Sequence, residues 1–147
     1  MHREEVTEAI LLAKRRKNLR WGDLAAALGT SKEWAAAALL GQMTLTSTQA
    51  EAAGKLLELP AEAVAALQQV PYKGSLPTAV PTDPLIYRFY ELVSVYGSTF
   101  KELINEEFGD GIMSAIDFRM AITREADPKG DRVNISMSGK FLPYRSY

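Results

Sequence analysis

Two short segments carry the residues whose types and spacing could do chemistry. The first contains Arg88 and Glu91, which are three positions apart and therefore side by side on one face of a helix. Their apolar neighbours predict that the pair is at least partly buried, and a desolvated arginine beside a carboxylate is a candidate anion-binding site. A solvated salt bridge that adds little stability is an equally weighted alternative.

The second segment is rich in glycine and runs from Gly109 to Ala115. Two glycines flank Asp110 and Ser114 follows, so backbone amides could approach a small ligand closely. The pattern alone is a weak indicator, because Gly-Asp-Gly is also common in ordinary turns. The segment lacks the remaining residues of a phosphate-binding loop or a dinucleotide-binding motif.

The composition restricts the chemistry further. The 147 residues include no cysteine and one histidine, His2, which excludes disulfides and thiolate catalysis and disfavours a histidine base or a metal site. The net charge of −1 indicates no polyanionic partner. No apolar stretch is long enough to span a bilayer and the N-terminus has no signal pattern, so a cytoplasmic protein without a membrane partner is expected.

The N-terminal half predicts a bundle of five short helices. Glycines end the second and third helices, a Thr48–Glu51 capping box belongs to the fourth, and Pro60 occupies the first turn of the fifth. Either Thr30 or Ser31 is expected to cap the third helix. The helices are predicted over Glu5–Lys17, Trp21–Leu28, from that cap through Trp34 to Leu40, over Thr46–Leu57 and over Pro60–Gln69.

The second and third helices have the length and the turn of a helix-turn-helix. DNA binding is one interpretation, and a module used only for packing is the other. Residues 1–70 contain eight basic and eight acidic side chains, whereas DNA-binding domains carry a basic excess. The candidate recognition helix offers only Ser31, Lys32 and Glu33 to read bases. A packing module that binds no nucleic acid is therefore predicted.

Prolines mark a boundary between two kinds of sequence. The segment 70–84 contains four of the seven prolines, which excludes a helix or a central strand before Asp83. We place the boundary near residue 75, which gives domains 1–75 and 76–147. Asp83 and Pro84 then predict the start of a helix over Pro84–Tyr96 that ends at Gly97.

The remaining sequence predicts one more helix and a hairpin. A Thr99–Glu102 capping box opens a helix over Thr99–Phe108, and alternating apolar residues indicate strands over 116–123 and 133–138. An isolated hairpin is marginal in water, and two helices cannot cover its apolar face. We therefore expect a second copy of the chain to cover it in an interlocked dimer.

The chain resembles the cyanate hydratase (cyanase) family in two specific blocks. They are Tyr-Arg-Phe-Tyr-Glu within Pro81–Glu91, and Gly-Asp-Gly-Ile-Met-Ser-Ala-Ile within Phe108–Phe118. The match continues in the C-terminal half at Val95–Gly97, Ala126–Pro128 and Gly139–Pro143. Looser matches at Ala9–Ala13 and Ala37–Gln42 extend the resemblance to nearly the whole chain. The sequence departs from the family at Met113, where an aliphatic residue is usual, and at Ser75, where a cysteine can occur.

The resemblance implies a fold, an assembly and an activity. The fold is mainly α with a small β part: a five-helix bundle similar to phage-repressor domains, without their DNA binding, and an interlocking α+β dimerisation domain. Five dimers form a ring-shaped homodecamer. The activity is that of a lyase of cyanate metabolism, which converts cyanate and bicarbonate through carbamate to ammonia and carbon dioxide. Neither a metal nor an organic cofactor is involved.

The resemblance also implies the site residues. The family's catalytic arginine, glutamate and serine correspond to Arg88, Glu91 and Ser114. Weaker candidates for substrate contact are Ala115, Ile112 and Leu142. Since Arg88 and Ser114 lie on different elements of a thin domain, the site is expected at a subunit interface. Two alternatives remain: a helix-turn-helix transcriptional regulator with a dimerising tail, and a structural oligomer that uses the Arg88–Glu91 pair as an interface salt bridge.

Overall fold

The computed structural model describes residues 1–74 and 76–145 of the chain. They form two compact units, the N-terminal unit Met1–Ser75 and the C-terminal unit Leu76–Tyr147. The described residues contain six α-helices and one two-stranded antiparallel sheet, which confirms a fold that is mainly α with a small β part. Ser75, one of the two departures from the family pattern, lies outside the described residues.

Five helices build the N-terminal unit. They are α1 (Arg3–Arg16), α2 (Trp21–Leu28), α3 (Lys32–Ala37), α4 (Ser47–Leu57) and α5 (Ala61–Leu67), with a π-helical turn at Ala38–Gln42 after α3. Local sequence signals determine where several of these helices begin or end. Gly29 ends α2 with φ 68°, a left-handed conformation that costs glycine little. Ser31, rather than Thr30, caps α3, because its Oγ accepts a hydrogen bond of 3.1 Å from the Trp34 amide.

Two helices of this unit start within one residue of the prediction, but by different means from those expected. The capping box of α4 joins Thr46 to Gln49 rather than Thr48 to Glu51: the Thr46 hydroxyl accepts from the Gln49 amide, and the Gln49 side chain accepts from the Thr46 amide. Thr46 has the extended backbone that a cap requires, with ψ 163°. Pro60 likewise has ψ 157°, so it caps α5 from outside the helix instead of occupying its first turn.

The N-terminal unit has a closed apolar core. Its largest fully buried side chains come from four of the helices and from the π-helical turn; they are Val6, Ile10, Leu24, Leu39, Leu57 and Leu67. Alanines fill the spaces between them, and Trp21 and Trp34 pack against this core while partly exposed. Burial of this kind is the dominant stabilising term in a small domain, so the unit can account for its own stability.

One long helix opens the C-terminal unit. It is α6 (Pro84–Phe108), and the predicted break at Gly97 is wrong. Asp83 caps it as expected, with Oδ1 accepting from the amides of Leu85 and Ile86 at 3.0 Å each. A glycine ends a helix when it adopts a left-handed φ, and the glycine that does so here is Gly109, with φ 90°. Gly97 instead continues the helix at a cost of about 1 kcal/mol relative to alanine.

A long antiparallel hairpin follows α6. Its strands, β1 (Gly111–Glu125) and β2 (Arg132–Pro143), are longer than predicted at both ends. Met120 pairs with Met137 and Ile122 pairs with Ile135, as the apolar alternation requires. The glycine-rich segment enters β1 at Gly111, so most of it is strand rather than turn.

The C-terminal unit has no apolar core of its own. Helix α6 contains no buried residue, and in the described part of the unit the buried residues are Pro81 and Ser114. Large apolar side chains are exposed along both the helix and the hairpin; they include Leu85, Phe89, Leu92, Val93, Leu103, Ile112, Met120, Val133 and Met137. No helix among the described residues combines the length and the apolar character needed to cross a membrane.

Candidate active site

Arg88 and Glu91 both lie in the second turn of α6, and both are exposed. The Arg88 guanidinium carbon is 5.7 Å from the centroid of the Tyr87 ring, and no ion pair joins Arg88 to Glu91 in the described part of the chain. The expected partial burial of this pair is wrong for a single chain, because no element of the unit buries α6 along its length. A hydrated guanidinium holds small anions only weakly until another surface removes the water.

Ser114 occupies the opposite kind of environment. It is 6% exposed, and among the described residues it is the one polar residue that is buried. Its Oγ accepts hydrogen bonds from the backbone amides of Ile116 at 3.0 Å and Asp117 at 2.9 Å. A hydroxyl has two acceptor lone pairs and one O–H donor. Both lone pairs are occupied here, so the hydroxyl keeps its proton available for an external acceptor.

An irregular β-bulge on β1 surrounds Ser114. Met113 pairs with Phe141 and Phe118 pairs with Gly139, so the segment Ser114–Asp117 on β1 lies opposite Lys140 alone. The bulge interrupts the predicted alternation, since Ile116 lies within it and is 97% exposed. Bulges redirect side chains and occur often beside active sites. The amides of Ile116 and Asp117 bind the serine hydroxyl and are therefore not free to contact a ligand.

The weaker candidates cluster beside the bulge. Ile112 and Leu142 are direct cross-strand partners, and both are partly exposed. Ala115 follows Ser114 within the bulge and is exposed. The ring of Phe141, next to Leu142, stacks on Phe108 at the end of α6 with a centroid distance of 5.2 Å. Three of the predicted residues, Ala115, Ile112 and Leu142, therefore lie near Ser114, on apolar surface that is open in one chain.

An open cleft of about 350 Å³ lies on the hairpin where regular strand pairing resumes after the bulge. It is lined by Asp117, Phe118, Arg119, Ser138, Gly139 and Lys140. The described contacts join neither Arg88 nor Glu91 to Ser114, so one chain does not bring the three predicted catalytic residues together. The described residues contain no cluster of His, Cys, Asp or Glu side chains able to hold a metal ion.

Comparison with protein families identifies the chain. Residues 3–71 match the family model described as the N-terminal domain of cyanate hydratase, and residues 78–146 match that of the cyanate lyase C-terminal domain. The chain belongs to the cyanate lyase family. Both halves of the predicted resemblance are thereby confirmed. The family assignment also makes the chain an enzyme, a carbon–nitrogen lyase, as the sequence predicted.

Individual relatives agree with the family assignment. A cyanate hydratase of Ralstonia pickettii is 75% identical and one of Dechloromonas aromatica 73% identical, each over 147 residues that cover 100% of both chains. The crystal structure of cyanase from T. urticae matches with a TM-score of 0.82 and 38% identity, covering 94% of this chain and 96% of that one. The likeness of fold extends over both units of the cyanate lyase chain.

Proposed function

We propose that the chain decomposes cyanate with bicarbonate as the second substrate, releasing ammonia and carbon dioxide through carbamate. In the first step cyanate, bicarbonate and one proton give carbamate and carbon dioxide. In the second step carbamate takes up a proton and breaks into ammonia and carbon dioxide. The observation that carries the proposal is the Ser114 hydroxyl, whose acceptor sites are filled by two amides and whose proton is free for an anion.

Arg88 is assigned the binding of the two anions. Cyanate and bicarbonate are both negative, and their addition concentrates that charge on one small group. A fixed guanidinium in a site that excludes water stabilises such charge without reorganising, and loss of one group of this kind costs about 100- to 1000-fold in rate. Holding the two anions in contact also removes the entropy cost of their encounter.

Ser114 and Glu91 are assigned different supporting roles. Ser114 donates its O–H to one of the anions, since that proton is its remaining hydrogen-bonding capacity. Glu91, one turn along α6 from Arg88, orients the guanidinium or carries the proton that carbamate takes up. Ala115, Ile112 and Leu142 line the site on the hairpin. The reaction assigned to these groups requires neither a metal nor an organic cofactor.

We assign the completion of the site to a second copy of the chain. The exposed apolar side chains of α6 and of the hairpin need a covering surface, and Arg88 needs one that removes its water. An interlocked dimer supplies both, and assembly of dimers to a homodecamer is the proposed final state. Residues 76–147 are thus the proposed catalytic and dimerisation domain. Residues 1–75 are a helix-turn-helix-like domain that binds no nucleic acid.

An ammonia-release assay tests this function. The wild type should release ammonia from cyanate at a rate that depends on added bicarbonate, and Ser114→Ala should lose about 100-fold in kcat. Ser136→Ala is the matched control and should keep wild-type kcat, because Ser136 pairs regularly with Ala121 on the same hairpin, away from the bulge. Ammonia release that is independent of bicarbonate, or an unaffected Ser114→Ala, would contradict the proposal.

A further inference from the structure

Gly139 on β2 faces the backbone of Ser114 at the β-bulge. A Cβ atom added at Gly139 would lie 2.3 Å from the Ser114 carbonyl oxygen and 2.6 Å from the Met113 Cγ. Glycine inside a strand often marks such a close approach of two backbones. Gly139 does not have a left-handed φ, so it is the lack of space, and not the backbone conformation, that excludes a side chain here.

Ser114 is therefore constrained from two sides. The amides of Ile116 and Asp117 hold its Oγ, and the bare backbone of Gly139 lies against its carbonyl group. At 6% exposure, the residue has little free volume into which it could move. Any displacement of its backbone is transmitted to the position of Oγ, since the side chain has one rotatable bond before the oxygen.

We propose that Gly139 is a positioning residue for the reaction, acting through Ser114; this rests on the proposed role of Ser114 in cyanate turnover. The absence of a Cβ at position 139 sets the closest approach of β2 to the bulge, and hence the position of the serine hydroxyl. To reach an ordinary contact distance, an alanine at 139 must push the Ser114 backbone away by on the order of 1 Å. A misplacement of about 1 Å can cost about 100-fold in rate.

A double-mutant cycle separates positioning from general support of the fold. Gly139→Ala is expected to lower kcat for cyanate about 100-fold at saturating bicarbonate. In a Ser114→Ala background the same substitution should change kcat less than about threefold, because no hydroxyl is left to position. Effects that multiply fully in the double variant would overturn the proposal. If Ser114→Ala alone keeps wild-type turnover, the proposed function of Ser114 itself fails, which is a distinct result.

Gly130→Ala is the matched control for strain in the hairpin. Gly130 lies in the turn at the other end of the hairpin, and its φ of 123° makes any side chain there strained, although no atom would contact the added Cβ. We expect Gly130→Ala to lower the melting temperature while kcat stays unchanged. An equal loss of kcat in both glycine variants would show that strain anywhere in the hairpin suffices, and would overturn the assignment of Gly139.

A second variant covers the case in which Gly139→Ala does not accumulate as folded protein. Part of its strain comes from the Met113 Cγ, which the additional change Met113→Ala removes, whereas the clash with the Ser114 carbonyl remains. The double variant should lose about 100-fold in kcat relative to Met113→Ala alone. Unchanged kcat in this comparison would overturn the proposal.

Discussion

The two units differ in where their apolar side chains lie. In the N-terminal unit the large aliphatic residues of α1, α2, α4, α5 and the π-helical turn point into one core, and six of them have less than 2% exposure. In the C-terminal unit, α6 has no buried residue, although it carries a dense set of leucine, valine and aromatic side chains. The N-terminal unit thus buries its own apolar surface, whereas the apolar surface of the C-terminal unit stays exposed in a single chain.

This difference separates stability from function. A site for small anions needs water to be excluded, and the unit that carries Arg88, Glu91 and Ser114 cannot exclude it alone. If another copy of the chain covers the exposed apolar side chains of the C-terminal unit, the same contact buries apolar area and removes water from Arg88. The N-terminal unit, whose core is complete, has no comparable need.

Among the substitutions we predict, a charge on the exposed apolar face of α6 should be the most damaging to assembly and turnover. Leu92 is 42% exposed, and Leu92→Asp should abolish assembly and turnover together, because an unpaired carboxylate buried at an interface costs about 3–5 kcal/mol. The measurement is analytical ultracentrifugation with an ammonia assay. Leu12→Asp, at a 60% exposed position on α1 of the self-sufficient unit, is the matched control and should leave both unchanged. An assembled, active Leu92→Asp protein would contradict the covering of α6 by a second copy.

Replacing the Arg88 guanidinium should lower turnover without changing the assembly of the protein. Arg88→Lys keeps a positive charge but loses the planar fork, so kcat should fall about 100- to 1000-fold while the sedimentation coefficient stays that of the wild type. Steady-state kinetics and sedimentation on the same preparations are the measurement. Dissociation of Arg88→Lys, with no turnover in the wild type either, would favour the structural oligomer over the enzyme.

Local signals in the sequence predicted most of the N-terminal unit and the start of α6. Gly29, Ser31 and Asp83 act within one turn of their own position, so their effects do not depend on the rest of the fold. The same kind of signal failed at Gly97 and at the Thr99–Glu102 box. There the flanking residues on both sides favour helix, and one glycine costs less than breaking it.

The residues of the candidate site could be named from the sequence, but their geometry could not. Arg88, Glu91 and Ser114 were named from spacing and resemblance, whereas the bulge that buries Ser114 was not, because the apolar alternation continues through Ile116. The requirement for glycine at 139 depends on a cross-strand neighbour, and Gly139 lies just outside the predicted strand 133–138, so the apolar alternation did not indicate it. The apolar neighbours of Arg88 predicted its burial, but the single chain leaves it exposed, and the proposed burial depends on a second copy.

A helix cap tests the claim that the N-terminal unit is stable by its own contacts. Ser31→Ala removes the acceptor for the Trp34 amide at the start of α3, and the free energy of unfolding of this unit should fall by about 0.5–2 kcal/mol. Chemical denaturation followed by tryptophan fluorescence is suitable, since both tryptophans lie in this unit. Thr30→Ala is the matched control and should have a smaller effect. Loss of turnover at temperatures well below the unfolding transition would show that the two units are coupled more closely than we propose.

The smallest expected effect concerns an exposed ion pair between α1 and the end of α4. The Lys17 ammonium, 2.7 Å from Glu58, lowers the pKa of that carboxyl by a hydrogen bond and by its charge, and Arg16 adds a weaker contribution. Because the folded-state pKa lies below the unfolded value, the pair stabilises the unit above the ordinary glutamate pKa and loses that contribution as the pH falls through the folded-state value. Lys17→Met should therefore lower the melting temperature slightly at neutral pH, and the difference from wild type should vanish in acid and in high salt. The matched control is Lys55→Met on α4. A difference that persists at acidic pH would mean that Lys17 stabilises the unit through its methylene packing instead of its charge.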